Sequence, residues 1–162
     1  MTQQIDPDRQ KEITAYIGKT LFVSDWFTID EAHLKLFAQA TYLEETQVDL
    51  TMSRNNPLGA TLVDGFMSLS LLVYVGFKYS PLVNESEWAF NYGLNRVRFI
   101  TPVMIGQPIR LHAKVLAVEP HASGGLLVTT ENTLELEGAE RPAMVAEMLA
   151  LHFASAEASA SE

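Results

Sequence analysis

The chain contains no cysteine. That absence excludes a disulfide framework, a thiolate nucleophile and any zinc site built on thiolates. Positive charge is scarce too: 11 Lys and Arg stand against 20 Asp and Glu, for a formal net charge of -9, and the basic residues form no run. Nothing in this balance draws the chain to a phosphate backbone or an anionic bilayer, so neither nucleic acid nor membrane is an expected partner. The four histidines, His33, His112, His121 and His152, lack metal-ligand spacing of the HExxH kind. No structural metal and no cofactor is expected. Long apolar runs are missing with one exception, residues 62–77, LVDGFMSLSLLVYVGF. Carrying an acid and ending at Lys78, this run falls short of the roughly 20 residues of a spanning helix and reads as a helix buried inside the protein. The opening MTQQIDPDRQKE has no apolar core of a signal peptide, which makes the cytoplasm the expected location.

What is present describes one domain. The 162 residues, 48% of them hydrophobic, suffice for a single proper core. Residues 1–15 are polar and aperiodic and are expected to form a flexible N-terminal arm, either loose or a poorly anchored helix, while ASAEASASE at 154–162 has nothing to bury and is expected to be a disordered tail. Between them, residues 16–153 form the folded unit. Thr28 and Glu31 have capping-box spacing and predict a helix start at Thr28. Ile29, Ala32, His33, Leu36, Phe37 and Ala40 then share one packing face, on which His33 reads as a buried structural histidine. Residues 42–59 fit no period and read as an ordered excursion, a place where function often lies. After the apolar helix the pattern turns to alternation. Asn95, Val97 and Phe99 oppose Arg96 and Arg98, and Ile109, Leu111, Ala113, Val115 and Ala117 share one side. LLVTTENTLEL and MVAEMLALHF continue it, with turns at 123–125 and 137–142. The result is an α+β layout, an antiparallel sheet wrapped around a central buried helix.

Particular segments point to a family. SDWFTI at 24–29 and FAQAT at 37–41, then NPLGATLVDGFMSLSLL at 56–72, and above all YGLNRVRF at 92–99 followed by Pro102-Val103 and Gly106, resemble the MaoC-like dehydratases and (R)-specific enoyl-CoA hydratases, in their nodulation-protein-N-like branch. The resemblance covers about residues 17–153. It implies a single hotdog fold that binds an acyl thioester of coenzyme A or a carrier protein in a tunnel at a subunit interface. The implied partner is a second copy, in a homodimer, or a related hotdog chain in a hetero-oligomer. It also implies a lyase that adds water to a trans-2-enoyl thioester or removes it from the (R)-3-hydroxy compound, in fatty-acid or secondary metabolism. The family motif places an Asp shortly after the Phe-Ala-x-x-Thr segment and a His five residues on, before Val-Asp. Here Leu43 stands for the Asp and Gln47 for the His, in a segment one residue short, and Asp64 replaces the His that commonly precedes Gly-Phe.

The catalytic candidates are therefore Asp64, Glu44, Glu45 and Gln47, and the substrate-binding candidates Gly65, Tyr42, Asn95 and Met67. Asp64 precedes Gly65 at the expected helix start, where free N–H groups polarise a thioester carbonyl, and it has two compatible roles, helix cap and acid. Gly65 admits a close approach of substrate to backbone. Glu44 and Glu45 lie where the missing Asp belongs, as base or as a pair of solvated acids. Gln47 orients a water or a carbonyl but carries no proton at neutral pH. Asn95 offers hydrogen bonding only, to ligand or to the interior. Tyr42, Met67, Tyr74, Phe77 and Trp88 are tunnel lining or core. Arg96, Arg98 and Arg110 face either coenzyme A phosphates or solvent, and His112 and His152 lie in strands with no visible carboxylate partner. The expected function is an acyl-thioester hydratase or dehydratase with a diverged site. The alternatives are a hotdog acyl-CoA thioesterase using Asp64, and a catalytically inactive acyl-thioester-binding subunit.

Overall fold

The computed structural model describes residues 5–155, and the rest of the expected C-terminal tail, 156–162, lies outside the described residues. The elements follow in the order α1 (Pro7–Thr14), β1 (Thr20–Val23), α2 (Glu31–Ala40), α3 (Thr51–Arg54), α4 (Gly65–Tyr79), β2 (Glu87–Phe99), β3 (Ile109–Pro120), β4 (Leu126–Leu136) and β5 (Met144–Ala154). The strands form one antiparallel sheet in the order β1-β3-β4-β5-β2, and α4 packs on its inner face. No helix among the described residues is long and apolar enough to cross a membrane.

The predicted alternation in β3 holds through Ile109, Leu111, Ala113 and Val115, all buried. A register shift between Val115 and Ala117 then interrupts it. β2 carries two such shifts, between Asn91 and Gly93 and between Leu94 and Arg96, which leave Tyr92 and Asn95 without partners across β5. Val97 and Phe99 keep the predicted common face, opposite Ala146 and Met144, whereas Asn95 sits in the bulge and is exposed.

Several expectations give way. Residues 5–15 are not a loose arm: Asp6 caps α1, Ile5 and Ile13 are buried, and Arg9 holds Glu87 through Nε to Oε1 at 2.7 Å. Both side chains of that pair are nearly enclosed, at 14% and 7% exposure, and Arg9 Nη2 also donates to the Leu82 carbonyl at 3.0 Å. Two apolar anchors eight residues apart show no periodicity in sequence, so this docking was hidden. Helix α2 starts at Glu31, capped by Asp30, whose carboxylate accepts from the His33 N–H at 2.9 Å. The Thr28 capping box does not form because the chain around Phe27 is still paired with Ile109. His33 is exposed and bonds Asp30 at 2.6 Å rather than being buried, and Leu34 and Phe37, not Leu36, reach the core. Helix α4 is buried only along Met67, Ser68, Leu72 and Val75; Phe66 and Phe77 are 70% and 71% exposed.

His152 is largely enclosed on β5, and burial is the first cause of a pKa held below the ordinary 6.5; Arg9 lowers it further and Glu87 opposes both. Gly125, at the turn into β4, lies so close to β5 that a Cβ there would stand 2.5 Å from the His152 carbonyl oxygen.

Two outcomes follow for stability. Gly125→Ala is expected to destabilise the fold by about 1–3 kcal/mol, because backbone cannot yield to the added methyl. A lowered urea midpoint at unchanged slope records this, and an unchanged midpoint contradicts the close approach. For His152, the unfolded chain takes up a proton near pH 6.5 while the folded chain does so only at lower pH. Stability present above pH 6.5 is therefore lost as pH falls toward the depressed folded value. Urea unfolding at pH 7.5 and pH 5.5 is expected to show a larger loss for the wild type than for His152→Leu; equal losses would exclude this residue as the source.

Candidate functional site

Asp64 and Gly65 meet at the start of α4, as the sequence places them. The segment before the helix is clamped by the loop that follows β2, with the Val63 N–H donating to Val103 O at 2.8 Å and the Ile105 N–H to Thr61 O at 2.9 Å. Asp64 is the N-cap, its Oδ1 accepting from Phe66 N at 2.7 Å and Met67 N at 3.4 Å. The remaining donor of this first turn, the Gly65 N–H, has no hydrogen-bond partner among the described residues. Gly65 also lies against the Phe99 ring, where an added Cβ would meet ring carbons at 3.0–3.1 Å. An open N–H at the positive end of a helix dipole, on a residue with no side chain, can donate to a carbonyl oxygen and polarise it.

The other candidates do not join this pair. Glu45 forms an ion pair with Arg54 on the surface. Gln47 is exposed, and Glu44 is half-buried with no ion pair among the described residues. No hydrogen bond or ion pair links Glu44, Glu45 or Gln47 to Asp64 among the described residues. Tyr42 sits at φ 59 on the exposed tip of the excursion, and Met67 belongs to the buried core.

The charged strand residues are mostly engaged elsewhere. Arg110 donates through Nε to Glu135 Oε2 at 2.6 Å and its guanidinium lies 4.4 Å from the Trp26 ring centroid. His112 does have a carboxylate partner, again Glu135 Oε2, at 2.6 Å. Arg110 first and His112 second hold the Glu135 carboxyl below its ordinary range. Asp30 and Asp49 are lowered likewise, by local bonds from His33 and Thr51. These are structural pairs rather than phosphate receptors.

A largely apolar concavity lies elsewhere, between the second half of α4 and the sheet. It has a volume of about 330 Å³ and exists because the facing positions are small: Gly76 on α4, Ala113 on β3 and Ala150 on β5. Phe77 and Trp88, two of the residues considered for a tunnel, line it. Thr130 and Asn132 were not singled out in sequence, and His152 only as a strand histidine; all three line it, together with Ser80, Asn84, Glu87 and Asn91. The available signal was polar residues at inward positions of β4 and β5, where Val128, Leu134 and Ala146 mark the buried face.

No family model matches the chain. Two relatives do. Nodulation protein N of Rhizobium leguminosarum bv. viciae is 33% identical over 143 residues, covering 86% of this chain and 88% of its own. The 3-hydroxyacyl-thioester dehydratase Z of Mycobacterium tuberculosis is 35% identical over 144 residues, covering 88% of this chain and 95% of its own. Among solved structures, the MaoC-like dehydratase from Rhodospirillum rubrum superposes with a TM-score of 0.65 at 16% identity, over 85% of this chain and 92% of that one, and shares the hotdog fold. By sequence similarity along most of both chains and by fold, the protein belongs to the MaoC-like dehydratase family of hotdog proteins, in the branch that contains nodulation protein N.

Proposed function

We propose that this protein interconverts (R)-3-hydroxyacyl and trans-2-enoyl thioesters of coenzyme A or a carrier protein, in the cytoplasm, using a rearranged pair of acids. The observation that carries the reading is the 35% identity along 88% of the chain to a relative named as a 3-hydroxyacyl-thioester dehydratase. The geometry supports it at the start of α4. A thioester carbonyl docked on the open Gly65 N–H would have its developing oxyanion stabilised as a base removes the C2 proton. The electron pair then forms the C2–C3 double bond, the C3–O bond breaks, and the departing hydroxyl takes a proton to leave as water. Asp64, with one carboxylate oxygen committed to capping and the other free, is the first candidate for proton transfer. Glu44 is the better placed of the two adjacent glutamates, since Arg54 holds Glu45. Gln47 would orient the water.

The same reading includes a homodimer. Among the described residues β2 is a 13-residue edge strand paired with β5 alone, and α4 leaves Phe66, Tyr74 and Phe77 exposed. A bare edge of that length and an uncovered apolar helix face call for a second chain.

Hydration of crotonyl-CoA, followed as loss of enone absorbance, tests the activity. Asp64→Asn retains a good cap and is expected to lower kcat by about 10²–10⁴-fold while leaving Tm within a degree or two. Unchanged turnover in that variant removes Asp64 from the mechanism. Thiol release without enone loss would identify a thioesterase, and silence in both assays a binding subunit.

A further inference from the structure

The hydrogen-bonding groups left open in the cavity define what it accepts. The Thr130 carbonyl can only accept, so the Asn132 amide must turn its nitrogen toward it, at 3.3 Å, and toward Thr130 Oγ1, at 2.9 Å. Asn132 Oδ1 is then an acceptor with no protein donor among the described residues. His152 likewise makes no side-chain hydrogen bond among them, and it lines the cavity with one donor and one acceptor when neutral. Glu87, its charged neighbour, is not competing for it, because both carboxylate oxygens are engaged by Arg9.

The sheet register orders these groups. Gly65 packs on Phe99, which pairs with Met144; Asn132 pairs with Ala146, and His152 with Leu126. Along β5, Asn132 therefore lies near the start of α4 and His152 six positions further away, on the order of 20 Å at about 3.3 Å per residue. The stretch between them is walled mostly by apolar side chains, Val128, Met148, Ala150 and Leu72, with the Thr130 hydroxyl engaged by Asn132. Asn132 stands at one end of this trunk and His152 at the other.

We infer that this cavity takes the alkyl trunk of a long acyl chain whose thioester sits at Gly65, and that His152 recognises a hydroxyl at or near the far end of that chain. The substrate class is thus a long-chain acyl thioester oxygenated at its tail. A hydroxyl both donates and accepts, which matches a neutral imidazole, and burial keeps that ring neutral. A plain methyl end would instead strand a buried polar ring. This inference rests on the thioester reading above for the position of the head group.

The test is calorimetric binding of octadecanoyl-CoA and 18-hydroxyoctadecanoyl-CoA to the full-length protein, with crotonyl-CoA hydration measured on the same preparation. Wild type is expected to bind the hydroxylated ligand about 10- to 100-fold more tightly. His152→Leu is expected to erase that preference and His152→Gln, which keeps a donor and an acceptor, to retain it. Gly76→Leu should weaken both ligands at least about tenfold, since no atom lies within 4 Å of a Cβ there and the side chain grows into the cavity. Equal affinities in wild type, a preference that survives His152→Leu, or undiminished binding by Gly76→Leu would overturn the inference. The expected binding pattern without crotonyl-CoA hydration would leave the tail site standing and refute the hydratase reading.

Discussion

A single helix must cover the inner face of a five-stranded sheet, and it is too narrow to do so. With strands about 4.8 Å apart, the outer strands stand roughly 19 Å from one another, against an α-helix about 10–12 Å wide with its side chains. α4 resolves the mismatch unevenly. Its first half is seated by Val63, Met67 and Val103 in the core shared with Leu134, Met144 and Ala146. Its second half is seated on one side by Leu72 and Val75, while on the other Gly76 faces Ala113 and Ala150, and the volume those small residues leave is the cavity. On one flank Phe27 and Phe22 pack against Tyr74 and Tyr79, while Phe66 and Phe77 remain uncovered.

That uneven seating divides the chemistry. The first half carries the capped helix start, with Asp64 satisfying two N–H groups and leaving Gly65 open. The second half, beside Gly76, carries the room for an apolar chain. The charged side chains nearby are paired: Arg110 and His112 both bond Glu135 between β3 and β4, and Arg9 holds Glu87 beside the cavity, where α1 docks. In the proposed reaction the proton-transfer groups come from Asp64 and from Glu44 in the 42–59 excursion.

The strands were legible because alternation in β3, β4 and β5 is set by burial on one face, a local property of each strand. The cap at Asp64 was legible because an Asp before an apolar helical run has few competing uses. What escaped depends on distant parts of the chain. Thr28 and Asp30 are both acceptable caps, and only the pairing of Phe27 with Ile109 decides between them. Uniform hydrophobicity in residues 62–77 could not tell a sheet-facing side from an uncovered one. Asn132 and His152 look like ordinary strand polar residues until the register brings them over the same cavity.

The most direct measurement is a crystal structure with a 2-oxoalkyl thioether of coenzyme A bearing a long chain, which keeps the carbonyl and cannot be cleaved. The account predicts the carbonyl oxygen about 2.9 Å from the Gly65 nitrogen, with the chain running under α4 from Asn132 toward His152. A carbonyl bound away from Gly65, or a chain lying outside the α4 cavity, would contradict it.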